Sequence, residues 1–222
     1  MTDRQIQILL DSFWPLLKAG VLYTIPLTLI TFALGLTLAI VTALVRLSSL
    51  KILKLIADFY VWVIRGTPLL VQLFIIFYGL PSVGITLDVY TSAVIGLSLS
   101  VGAYCSEIVR AAILSVQKGQ WEAAFSLGMS RMQALRRIIL PQAARVSVPP
   151  LGNAFISLVK DTSLVAIITF VDMFKKAQFI AAATYEPMII YCEVAVIYLA
   201  FSTVLSVLQN YVEKRLERFT AT

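Results

Sequence analysis

This 222-residue chain contains no histidine, only two cysteines and few charges, with 14% of residues charged against 59% hydrophobic. The absence of histidine excludes an imidazole general base and any His-ligated metal. Cys105 and Cys192 lie far apart in apolar stretches, so neither a disulfide framework nor a CxxC site is available. Soluble domains are roughly 25% charged and 45–50% apolar. The shortfall in charge points to an integral membrane protein and argues against catalysis by its own side chains. The net charge of +6 is accounted for by basic loops beside a bilayer, without any nucleic-acid partner.

Apolar runs of about 20 residues suffice to cross a bilayer. Five are present, at about residues 21–44, 58–80, 89–116, 149–171 and 188–212. They make an all-α, five-span integral membrane fold, a single domain over residues 1–222. Ahead of the first span, Ile6, Leu9, Leu10, Phe13, Trp14 and Leu17 recur at helical spacing, which predicts a short interfacial helix. Arg46, Lys51, Lys54, Lys118, Arg131, Arg136, Arg137, Arg145, Lys214, Arg215 and Arg218 gather on one side of the membrane. The opposite side holds only Arg4, Lys18, Lys175 and Lys176. By the positive-inside rule the N-terminus is outside and the C-terminus cytoplasmic.

Residues 117–141 are too polar to span. Trp121 to Leu127 has a short helical pattern, Gly128 stops it, and Ser130 is suited to cap a second helix, Arg131 to Leu140, before Pro141. Two short helices joined by a glycine turn predict a rigid knob on the membrane surface. Within it, Glu122-Ala123-Ala124 is followed after three intervening residues by Gly128, and after nine more by Ile138, Leu140 and Pro141. This spacing resembles the signature loop of the membrane subunits of ABC importers. Arg65-Gly66-Thr67-Pro68, Ala103-Tyr104 with Glu107 and Arg110, and Lys160-Asp161-Thr162-Ser163 look like the polar amino-acid branch of that family. Gln72-Leu73-Phe74, Tyr78-Gly79-Leu80-Pro81 and Gly119-Gln120-Trp121 look closest to its cystine permeases.

The resemblance implies the type I importer permease fold, working as a dimer, with a homodimer favoured, in a bacterial cytoplasmic (inner) membrane. Its implied partners are cytoplasmic ATPase subunits and an extracytoplasmic amino-acid-binding protein. Gly119, Glu122, Ala123, Ala124 and Gly128 fall on the family's ATPase-coupling helix. No Gly-x4-Gly-Lys-Ser/Thr loop occurs, which agrees with ATP and Mg belonging to the partner and no cofactor to this chain. The chain is then a transport subunit, not an enzyme.

A charge near the middle of a span costs roughly 2.5–3.5 kcal/mol, so such a residue faces a partner or a water-filled cavity. At 1.5 Å per residue, Arg65 and Glu107 lie about 10 and 13 Å deep from the cytoplasmic side. Arg65–Glu107, with Arg110 one turn below, reads as an intramembrane ion pair at the inner gate, with direct substrate contact as the alternative. Asn153, Ser157, Lys160 and Asp161 share a polar stripe reaching the midplane, and Thr24 heads a threonine stripe expected to face it. Both signs that a zwitterion requires are present there, although Lys160 and Asp161 can equally neutralise each other. Glu193 reads as a rim charge and the cysteines as packing residues. A self-sufficient secondary carrier is the rival function, but five spans without an inverted repeat are few for one.

Overall fold

A computed structural model describes residues 2–217, so the basic residue Arg218 lies outside the described residues. All the regular structure described is helical. Among the described residues four helices are long and apolar enough to span a membrane, and a bent pair supplies a fifth crossing if counted as one.

The first span is longer than its apolar run. Helix α1 (Asp3–Ala19) passes through a π-helical turn (Gly20–Thr24) into α2 (Ile25–Arg46), giving one 44-residue rod. Thr2 and Gln5 form a capping box at its start. The expected interfacial helix is therefore replaced by an extension of the span. Ile6, Leu10, Phe13 and Trp14 of the expected apolar stripe stay exposed, and a different face is covered by protein, where Leu16 and Ala19 pack with Met173, Ala177, Ala181, Ile190 and Val194. These partners belong to α9 (Met173–Thr184), which the sequence reading did not foresee, and α10 (Pro187–Glu217). Glu193, expected at the rim, is instead buried and accepts a hydrogen bond from the Ser12 hydroxyl. Cys105 is buried as expected of a packing residue, whereas Cys192 is exposed on α10.

The second apolar run does not form a straight span. Helix α3 (Lys51–Gly66) and the segment starting with α4 (Leu69–Phe74) meet at 106°. Pro68 forces the break: it has no amide to donate to the Ile64 carbonyl, and it holds Thr67 extended at φ −121°, ψ 146°. The orphaned carbonyl is satisfied by Gln72, whose Nε2 donates to the Ile64 oxygen at 2.8 Å and to Thr67 Oγ1 at 2.9 Å. Gln72→Leu should thus leave a buried carbonyl without a donor and destabilise the fold by about 1–3 kcal/mol. Thermal unfolding of the detergent-solubilised protein would measure this, and an unchanged midpoint would remove Gln72 as the brace of the bend.

Helices α2 and α5 (Val89–Ser115) pack along each other more extensively than any other helix pair among the described residues. Gly35 makes that approach possible, since a Cβ there would lie 2.5 Å from Val101 Cβ. Helix α6 (Lys118–Ser126) leads through Gly128, at φ 74°, to α7 (Arg131–Ala134), capped by Ser130 with Gln133 in a capping box. The second knob helix does not stop at Pro141. It passes through a π-helical turn (Leu135–Ile139) into α8 (Leu140–Asp161), with a 3-10 turn (Thr162–Ile168) after it. The extra residue in the π turn is a local adjustment of the kind that accommodates a proline within a continuing helix. The fourth span consequently starts at the knob itself. Ile139 and Ala143 pack on Ala112 and Ile113 of α5, anchoring the knob to the spans.

Candidate functional site

A cavity of about 560 Å³ opens between α5, α8 and the α3–α4 bend. Helix α5 runs toward the knob and α8 away from it, so each wall is a ladder of depths. Toward the knob lie Glu107, Ile108 and Pro150; farther along α8 come Asn153, Ser157 and Asp161, with Leu164 in the 3-10 turn beyond. Eleven residues of helix separate Pro150 from Asp161, about 16 Å. Arg65 reaches the cavity from the end of α3 because the chain breaks just after it.

The expected stripe is only partly assembled. Asn153, Ser157 and Asp161 line the cavity together, as their spacing along one helix face requires. Neither Ser157 nor Asp161 makes a side-chain hydrogen bond, or an ion pair within 4 Å, among the described residues. Asn153 Oδ1 accepts from Gln209 Nε2 at 3.2 Å, so a glutamine on α10 that the sequence reading overlooked holds this residue. Lys160 is exposed but does not line the cavity, being turned about 100° from Asp161 on the helix. It forms no ion pair with Asp161 among the described residues.

Thr24, expected to face this stripe, is wholly buried elsewhere. Its hydroxyl accepts from the Met173 amide at 3.4 Å, beside Tyr198 and the buried Asp172 that caps α9. The π turn ending at Thr24 aims its side chain at α9 and α10, which cannot be read from helical periodicity.

Charges at the cavity's knob end form a network larger than a pair. Glu107 Oε1 accepts from Arg46 Nη1 at 2.7 Å and lies 3.4 Å from Arg65 Nη1, while Oε2 accepts from Arg110 Nε at 3.0 Å. Arg46 also donates through Nε to Asp58 Oδ1 at 2.6 Å. Arg65 is thus the weakest partner of Glu107, and its guanidinium sits 5.4 Å from the Tyr104 ring centre. Arg46 and Asp58 were missed because both fall at the edges of apolar runs, where Arg46 counts as a loop cation. Helix α2 continues to Arg46 and carries its side chain to α5. With three arginines and two carboxylates, the cluster retains one positive charge beside the cavity.

The knob presents Gly119, Glu122, Ala123 and Gly128 at an exposed surface, whereas Ala124 turns inward. Among the described residues no group of histidine, cysteine or carboxylate side chains is disposed to hold a metal.

Residues 35–218 match the family described as binding-protein-dependent transport system inner membrane component. The L-cystine transport system permease protein TcyB of Bacillus subtilis is 54% identical over 212 residues, covering 95% of this chain and 91% of the relative. The probable glutamine ABC transporter permease protein GlnM of the same organism is 37% identical, covering 96% and 98%. A solved amino acid ABC transporter with histidines superposes with a TM-score of 0.90 at 38% identity, covering 97% of this chain and all of that one. The methionine transporter MetNI, in an inward-facing form, superposes at 0.69 with 18% identity, covering 97% and 99%, which is a likeness of fold alone.

Proposed function

Because this chain belongs to the binding-protein-dependent transport system inner membrane component family, we propose that it is the permease subunit of an ATP-driven amino-acid importer, with L-cystine its first candidate substrate. The observation that carries the reading is a single cavity with cation and anion on its walls, Arg65 and Asp161, and hydroxyl and amide groups between them. A zwitterion needs both. Asp161 takes the ammonium group and Arg65 the carboxylate, while Ser157 and Asn153 set orientation. Arg65 replaces Lys160 as the cation because Lys160 faces away. A volume of 560 Å³ is within the roughly 300–1,000 Å³ usual for small-molecule sites.

L-Cystine is favoured over other amino acids because the relative named for it is 54% identical to this chain over 212 residues. The N-terminus faces outward and the knob the cytoplasm, from the distribution of basic loops. The complete importer then comprises two permease copies, two cytoplasmic ATPases bearing ATP and Mg, and an external binding protein. Glu122, Ala123 and the Gly128 turn supply the surface on which the ATPase docks.

The test is uptake of labelled L-cystine by proteoliposomes containing the assembled complex. Asp161→Asn should lower uptake about 10–100-fold, the equivalent of losing a charged hydrogen bond worth about 1.5–3 kcal/mol. Capture by the binding protein and ATPase docking should stay unchanged. Uptake without ATPase or ATP would instead make the chain a secondary carrier. Loss of assembly in Asp161→Asn would make the carboxylate structural.

A further inference from the structure

A second cavity, of about 690 Å³, lies at the other end of the cytoplasmic half of the fold, between the knob and the C-terminal ends of α2 and α5. Its walls are apolar residues at the ends of two spans, Leu44 on α2 with Leu47 just after it, and Ile113 and Leu114 on α5. Apolar wall therefore continues directly from the bilayer into the groove, and Leu114 and Met132 remain exposed at its mouth.

Its polar lining has one sign only. Lys118, Arg131 and Arg136 project from the knob, and no acidic side chain lines the groove. None of the three takes part in an ion pair among the described residues. The other cationic cluster of this chain is threaded with Asp58 and Glu107; this one lacks any such counter-charge. Ser48 and Ser49, just beyond the end of α2, also line the groove.

We propose that this groove binds an anionic glycerophospholipid. Its phosphodiester lies among Lys118, Arg131 and Arg136, its glycerol backbone beside Ser48 and Ser49, and one acyl chain along Leu44, Leu47, Ile113 and Leu114. Cations, hydroxyls and an apolar wall in one groove match the three kinds of group that such a lipid carries. A basic pocket between helices at a membrane face has the chemistry of a lipid-headgroup site. A protein segment would equally fill the apolar part, but it would not need three unbalanced cations at the level where phosphates lie.

Trp121 also lines the groove and supplies the reporter. The chain has three tryptophans, and Trp14 and Trp62 are exposed elsewhere, so Trp14→Phe with Trp62→Phe leaves Trp121 alone. In nanodiscs containing the permease, with and without an ATPase whose own tryptophans are replaced by phenylalanine, phosphatidylglycerol with brominated acyl chains should quench Trp121 at mole fractions at least roughly tenfold lower than brominated phosphatidylcholine. Each cation near the surface contributes about fivefold. Lys118→Gln, Arg131→Gln and Arg136→Gln together should abolish the preference, and Arg136→Gln alone should reduce it about fivefold if the triple variant fails to fold. Arg137→Gln, outside the groove, should not alter it. Salt at 1 M, where the Debye length is about 3 Å, should weaken it without any substitution. Equal quenching by the two lipids, or a preference undiminished by Arg136→Gln, would overturn the proposal. So would a preference present in the permease alone but lost when the ATPase is added, which would assign the groove to the ATPase.

Discussion

Glu107→Gln is expected to destabilise the folded protein by about 2–3 kcal/mol, because one carboxylate serves three guanidinium groups. Breaking a fully buried pair costs roughly 3–5 kcal/mol. Arg46 and Glu107 are 14% and 23% exposed, so solvent screening lowers the figure. Arg46→Gln should be comparably severe, since it strips both Asp58 and Glu107 of their shortest contact. The double substitution should cost less than the sum of the singles, with a coupling of about 0.5–3 kcal/mol. Arg65→Gln should be mild by comparison, its guanidinium being 43% exposed and 3.4 Å from the carboxylate. Thermal unfolding of the four variants in one detergent decides the matter. Equal losses in Arg65→Gln and Arg46→Gln would return Arg65 to the role of principal partner.

Gly128→Val should disconnect ATP hydrolysis from uptake while leaving the spans folded. A Cβ at this position would meet nothing within 4 Å, so space is not the obstacle. The obstacle is the backbone, which sits at φ 74° to turn α6 into α7. A side chain there costs about 1–2 kcal/mol, most for a β-branched one, enough to depopulate the turn 5–30-fold. Asn tolerates the left-handed region, so Gly128→Asn should restore much of the coupling that Val removes. Uptake and phosphate release measured on the same proteoliposomes separate the two effects. Normal uptake by a well-folded Gly128→Val protein would show that the turn's shape is irrelevant to coupling.

The difference between these two predictions is informative. The glycine turn was legible in the sequence because its cause is local: a helical pattern, a residue free to adopt positive φ, and a capping serine, all within ten positions. The apolar crossings were legible for a similar reason, since twenty apolar residues in a row have few alternatives to a bilayer. Helical spacing alone puts Asn153 and Ser157 on one wall and leaves Lys160 and Asp161 as alternatives for its far end.

What the sequence could not determine depends on residues distant along the chain. Arg46 reads as a loop cation until α2 is packed in parallel against α5 through Gly35, which sets it level with Glu107. Pro68 signals a weakened helix, but the 106° bend requires Gln72 to turn back and satisfy Ile64. Thr24 follows the period of its own helix, yet the π turn ending there and the arrival of α9 bury it away from the cavity. Lys160 and Asp161 are adjacent and opposite in charge, but a helix turns about 100° per residue, and only Asp161 faces the cavity. Local pattern therefore determined where this chain crosses the membrane and which helix faces are polar. Tertiary packing alone decided which of those polar groups meet, because the partner of a buried charge is chosen by helix register and depth.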